Sequence, residues 1–139
     1  MSEQPAPPPS EGAEHDERRD SVLAEISRQM VRIYKEQFGR GPTKARTDFA
    51  GPDVIVCTLE DSLTPAERRL VEMGEHQRLR DTRMYFQYAS EKEFCGVIER
   101  TVNRKVRAFI SGIDASSDVS AEIFYLEPRA ESGRGPAAE

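Results

Sequence analysis

The chain has 139 residues, in which 20 lysines and arginines stand against 25 aspartates and glutamates for a formal net charge of −5. With 37% hydrophobic and 32% charged residues it can bury one modest core, so a single water-soluble domain is expected. No apolar run approaches the roughly 18–20 residues of a bilayer span, and Met1-Ser2-Glu3-Gln4-Pro5 lacks the basic-then-apolar pattern of a signal peptide. A cytoplasmic protein without membrane insertion follows as the expectation. Two cysteines, Cys57 and Cys95, are too few for a disulfide framework, and two histidines, His15 and His76, assemble no zinc spacing. Neither a metal nor another cofactor is expected. The acidic balance argues against nucleic acid, whose partners carry a basic excess to replace counterions.

Residues 1–19 are Pro, Ser, Glu, Ala and charged residues, with too little apolar surface to offset ordering, so a disordered leader is expected. Residues 129–139 repeat that composition and read as a frayed tail, leaving a folded domain over 20–128. Leu23, Ile26, Met30, Ile33, Tyr34 and Phe38 recur at spacings of three and four, the stripe of a first helix starting near Asp20 or Ser21 and ending at Gly39. Thr43 to Ala50 and Val54 to Glu60 flank Gly51-Pro52-Asp53, which predicts a hairpin. In its second strand Ile55, Cys57 and Leu59 share one face and Val54, Val56 and Thr58 the other, so that strand should be central. Thr64-Pro65-Ala66-Glu67 has the spacing of a capping box. The short helix it opens should break at Gly74, followed by a longer one to about Asn103, the longest element, burying Leu79, Phe86, Phe94, Val97, Ile98 and Val102. Arg104 to Ser111 and Val119 to Glu127 form a second hairpin around a polar loop.

The order helix, hairpin, helix, hairpin is a weak internal duplication. It predicts an α+β fold, αββαββ, as a two-layer sandwich: a four-stranded antiparallel sheet with helices on one face, a circular permutant of the ferredoxin-like sandwich. The sheet's other face would stay partly open, and its apolar residues predict a homodimer through that face.

Chemistry is sparse. Phe38-Gly39-Arg40-Gly41-Pro42-Thr43-Lys44-Ala45-Arg46 joins glycines to three cations, but it follows a helix and opens a strand, the reverse of a phosphate-cradling loop. It reads either as a helix C-cap with a solvated strand face or as an anion site. Arg104, Lys105 and Arg107 open the second hairpin as Arg40, Lys44 and Arg46 lead into the first, and the two strand starts side by side would make one basic patch for a small anion or an acidic partner. Asp48, Glu99 and Glu122 lie in or beside the same strands and could simply pair with those cations. Met84-Tyr85-Phe86-Gln87-Tyr88 holds more aromatics than one buried stripe can hide, so Tyr85 and Tyr88 are candidates for an interface. His76 has no convincing acid partner, neither cysteine has a base to activate it, and no catalytic constellation stands out.

Phe38 to Thr47, Leu63-Thr64-Pro65-Ala66-Glu67-Arg68, Arg104-Lys105-Val106-Arg107-Ala108-Phe109 and Tyr125-Leu126-Glu127-Pro128, in that order, resemble the MpsC-like family. The resemblance spans Ala24 to Pro128. It implies a small bacterial protein associated with a sodium-translocating, membrane-potential-generating system whose membrane partners are linked to inorganic-carbon uptake. It carries over no catalytic residues. The expectation is a non-enzymatic accessory or regulatory protein, peripheral to the inner membrane face through a transporter subunit; the alternative is a dimeric module sensing a small anion or metabolite.

Overall fold

In a computed structural model, which describes residues 11–129, the elements run α1 (Glu11–Phe38), β1 (Lys44–Phe49), β2 (Val54–Glu60), α2 (Pro65–Glu72), α3 (His76–Ala89), α4 (Glu91–Val102), β3 (Val106–Asp114) and β4 (Val119–Leu126). Of the expected disordered leader, residues 11–19 are instead helical and belong to α1, while residues 1–10 and, of the expected tail, residues 130–139 lie outside the described ones. α1 starts at Glu11, earlier than its apolar stripe suggests. Once the buried stripe from Leu23 onward has nucleated the helix, each added residue costs little, and Ala, Glu and Arg extend it readily. At 28 residues α1, not the second helical run, is the longest element.

The four strands form one antiparallel sheet in the order β1-β2-β4-β3, the expected α+β class. β2 and β4 pair centrally with Cys57 opposite Glu122, and each carries its own hairpin partner on the outside. The covered face presents Ile55, Cys57, Leu59, Phe124 and Leu126 to Ile26, Met30, Ile33 and Tyr34 of α1 and to Phe94, Val97 and Ile98 of α4. Phe109 links the halves, stacked on Phe94 at 5.7 Å and tilted against Phe124 at 5.3 Å between ring centroids. A satellite core of Leu63, Leu79 and Ala115 lies under α2 and α3.

The turn chemistry matches the sequence at three points. Gly39 ends α1 with φ +80°, its N–H donating to the Lys35 carbonyl at 2.9 Å. Gly74, with φ +78°, separates α2 from α3. At the start of α2 the Glu67 N–H donates to the Thr64 hydroxyl at 3.2 Å while the Thr64 N–H donates to the Glu67 carboxylate at 2.9 Å, a complete capping box.

The long helix expected to reach Asn103 is divided at Ser90 into α3 and α4. The Gln37 side chain braces the break, donating to the Ser90 hydroxyl at 2.5 Å and, at 2.9 Å, to the Phe86 carbonyl, which also accepts from the Ser90 N–H at 3.1 Å. The rotation also changes what is buried. Phe86 stays 43% exposed, whereas Leu79, Arg83 and Gln87, spaced four apart, form the inward stripe of α3.

Thr64→Ala removes the hydroxyl half of the capping box and lowers unfolding free energy by about 1 kcal/mol, within the range known for N-caps. Urea denaturation of the pair checks it; equal midpoints would mean that the cap contributes nothing.

Candidate functional site

The two basic strand starts do not meet. Because β2 and β4 pair antiparallel at the sheet centre, the two αββ halves are related by rotation about an axis through that junction, so equivalent positions fall at diagonal corners. β1 and β3 lie three strand spacings apart, about 14 Å, and their starting ends are further offset by the sheet's length of roughly 20 Å. The single basic patch joining Arg40, Lys44 and Arg46 to Arg104, Lys105 and Arg107 is therefore corrected to two separate groups.

At the first corner Arg40 is a clamp, donating to the Leu63 carbonyl at 2.7 Å and pairing with Asp61 at 3.1 Å. Asp61 also pairs with Arg68, and its carboxyl is held below the usual range by the hydrogen bonds from Arg40 and Thr43, which outweigh its partial desolvation. Lys44 is exposed opposite Glu60, and Arg46 pairs with Asp48 at 2.7 Å on the sheet's outer face. An adjoining cleft of about 580 Å³ has Lys44 and Arg68 among its walls, but also Glu60, Asp61, Glu72 and Asp118, so it presents no single charge.

At the opposite corner Arg104 ties three segments together, donating to the carbonyls of Pro52 and Glu127, both at 2.8 Å, and to the Asp53 carboxylate at 2.5 Å. Lys105 is exposed, and the Arg107 guanidinium lies 5.3 Å from the Tyr125 ring centroid. The Glu99 carboxylate accepts from the Val106 N–H at 3.0 Å. Of the two candidate interface tyrosines, Tyr85 is 74% exposed, while the Tyr88 hydroxyl accepts from the Ser111 N–H at 3.0 Å and so satisfies a backbone group on edge strand β3.

Glu122 is the residue that sequence reasoning misplaced. It pairs with no strand-start cation and has no exposure, because in β4 it alternates inward with Ser120, Phe124 and Leu126. Its Oε1 accepts from the Tyr34 hydroxyl at 2.7 Å and from Gln87 Nε2 at 2.5 Å; the same Gln87 nitrogen lies 2.9 Å from the Tyr34 oxygen and 2.7 Å from the Ser111 hydroxyl. Glu122 Oε2, Gln87 Oε1 and the Ser120 hydroxyl are buried without a hydrogen-bond partner. Burial pushes the Glu122 carboxyl up to about 7, against hydrogen bonds from Ser111, Tyr34 and Gln87 that favour its charged form. Burial, then the adjacent Glu122 charge, raises the Tyr34 phenol well above its ordinary value.

One helical turn earlier on α3, Arg83 is also without exposure but fully engaged. It forks onto Glu67 at 2.5 and 2.6 Å, donates to the Ser62 carbonyl at 2.9 Å and lies 3.7 Å from the centre of the Phe38 ring. For Glu67 desolvation acts upward, yet the Arg83 pairing and the Thr64 cap together outweigh it and hold the carboxyl below its usual value. Removing one member of such a buried pair costs about 3–5 kcal/mol, since the other charge is stranded.

The arrangement raises the buried Glu122 carboxyl toward neutral pH, and it does not activate either cysteine as a nucleophile. Burial pushes the Cys57 thiol up to about 12 and, with Glu91, Glu99 and Glu122 adding to the effect, the Cys95 thiol up to about 11. His76 opens α3, half-buried. Among the described residues no group of three His, Cys, Asp or Glu side chains is placed to hold a metal, and no helix is long and apolar enough to cross a membrane.

Fold and site together define a small two-layer α+β protein with a buried acid at its centre. The model of the family described as Na+-translocating membrane potential-generating system (MpsC) matches residues 18–128, and the chain belongs to that family. No curated protein and no solved structure matches it.

The Glu122 proton makes stability depend on pH with a defined sign. Below the ordinary carboxyl value of 4.5 both folded and unfolded states are protonated; between 4.5 and about 7 the unfolded chain ionises while the folded one keeps its proton, so stability falls as pH rises, and above 7 the loss is complete. The shift corresponds to roughly 3 kcal/mol. Glu122→Gln removes the ionisation, so its stability relative to the parent rises by that amount between pH 4.5 and 8. Denaturation curves of both proteins across that range check it, and a difference independent of pH would contradict it.

Proposed function

We propose that the chain is a non-enzymatic accessory or regulatory component of a Na+-translocating, membrane-potential-generating system, working as a homodimer that meets a membrane-embedded subunit of that system. Family membership supports the association with the system. The observation that carries the accessory role is the sheet's outer face. Val56, Ile123 and Ile110 lie in one cross-strand row, with Val54 and Tyr125 beside them, and none of them is in the buried core. Ile110 is 47% exposed. A β-branched row of this kind on an uncovered sheet gains by removing its apolar area from water, at about 25 cal/mol per Å². A second copy offers the same face in return, since a two-fold contact needs only a self-complementary patch.

Arg46 and Asp48 at one corner of that face and Arg107 at the other supply a polar rim to the apolar row, and the membrane-embedded subunit is reached through the surface that the dimer leaves exposed. Both thiols sit far from ionisation and the buried acid faces no substrate-sized opening among the cavities described, which supports binding over catalysis.

Ile110→Glu with Ile123→Glu should convert a dimer to a folded monomer in sedimentation equilibrium, with an unchanged circular dichroism spectrum. The tagged parent chain should retain a membrane-embedded ion-translocating subunit from detergent-solubilised native membranes, and the double variant at least tenfold less. A parent that sediments as a monomer, or that retains no such subunit, would overturn the proposal.

A further inference from the structure

The geometry points to a binding site for a small amphiphilic anion, an apolar body ending in a carboxylate or phosphate, in the cavity between the start of α1, the β1–β2 turn and the end of α4. This inference stands apart from the accessory role. The cavity encloses about 550 Å³, within the range of small-molecule sites. Its walls divide into two kinds. Val22, Phe49, Pro52 and Val102 supply an apolar surface, while Arg18, Arg19, Arg104 and Arg129 supply four cations, with His15 at the edge.

Charge is the first reason for an anion. Asp53 is the one carboxylate among the lining residues, and it is taken by Arg104. Four arginines around one concavity therefore stand three charges in excess of the acids there, on a chain whose overall charge is −5. Like charges so gathered raise the local potential and favour a counter-ion, all the more between low-dielectric walls.

Arg104 is the second, independent reason. Its side chain is only 9% exposed, its terminal nitrogens donate to Pro52, Asp53 and Glu127, and its Nε is buried with no acceptor. A buried guanidinium N–H without a partner is costly, and an oxygen of a carboxylate or phosphate is the acceptor that such a donor takes best. Arg19 is already oriented, its guanidinium 4.7 Å from the centre of the Phe49 ring, so cation and apolar wall are presented together. A bare inorganic ion would use the cations but not the wall; a neutral apolar molecule would use the wall and leave the cations unmet. An apolar body with one anionic head uses both.

Monomeric octanoate and octyl phosphate, below their micelle concentrations, are the probes, titrated into the full chain by calorimetry and followed by amide chemical shifts. Both should bind saturably with shifts centred on Val22, Phe49 and Val102, while octanol and octyltrimethylammonium should bind at least tenfold more weakly. Arg18→Glu with Arg129→Glu, two surface changes remote from the core, should weaken the anions at least tenfold and leave the thermal midpoint of the free protein within a few degrees. Arg104→Met is a second variant with the same expected loss, informative where it stays folded. Flotation with phosphatidylglycerol vesicles separates the sources: capture dependent on Arg18 and Arg129 assigns the head to a lipid, and absence of capture alongside octyl phosphate binding assigns it to a free amphiphile. No saturable binding of either anion, affinity unchanged by charge reversal, or shifts centred instead on Ile110 and Ile123 would overturn the site.

Discussion

The antiparallel register between β2 and β4 is the constraint from which the rest of the molecule follows. Cys57 faces Glu122 across that junction on the covered side, while Val56 faces Ile123 on the open side. A slip of one residue would exchange the two sets, bringing Ala121, Ile123 and Tyr125 under the helices and placing Glu122 in water. The register therefore decides that the core has an acid at its centre and that the outer face has an apolar row. Because the junction relates the two halves by rotation, it also decides that their basic corners are far apart.

Holding Glu122 inside requires help from both layers. Tyr34 of α1 and Gln87 of α3 reach it from the helical layer, and Ser111 of β3 joins through Gln87. Arg83 extends the polar stripe of α3 toward Glu67 and the Thr64 cap, so the helix that covers the acid is itself anchored by a buried ion pair. Buried polar groups cost more than apolar ones unless satisfied, and three oxygens near the centre are not. An ionisation at Glu122 would therefore place a charge among groups contributed by both α1 and α3.

The sequence was legible where local chemistry speaks alone. The stripe of α1, Gly39, Gly74, the Thr64–Glu67 box, both hairpins and the inward set Ile55, Cys57 and Leu59 all follow from spacing and turn residues. It was ambiguous in β4, where Ser120, Glu122, Phe124 and Leu126 compete with Val119, Ala121, Ile123 and Tyr125, and hydrophobicity does not choose between them. Phe109, stacked between Phe94 and Phe124, makes the choice, a contact between segments distant in the chain. Arg83 and Gln87 were hidden for the same reason: polar residues on a helix read as solvated until their partners on other elements are known. Their one sequence signal was the spacing of four from Leu79. The cationic cavity was missed because Arg18 and Arg19 fell in a stretch whose composition suggests disorder, and only folding brings them near Arg104.

The facing of β4 is tested most directly by carbon-detected NMR titration of the Glu122 side-chain carboxyl, assigned by comparison with Glu122→Gln. The account predicts a midpoint near 7 and, in Glu122→Gln, shifted side-chain signals of Tyr34 and Gln87, which bond to the carboxylate. A midpoint between about 4 and 5, the range of an ordinary solvated glutamate, with the Tyr34 and Gln87 side-chain signals unmoved by Glu122→Gln, would place Glu122 on the outer face and contradict the register on which the account rests.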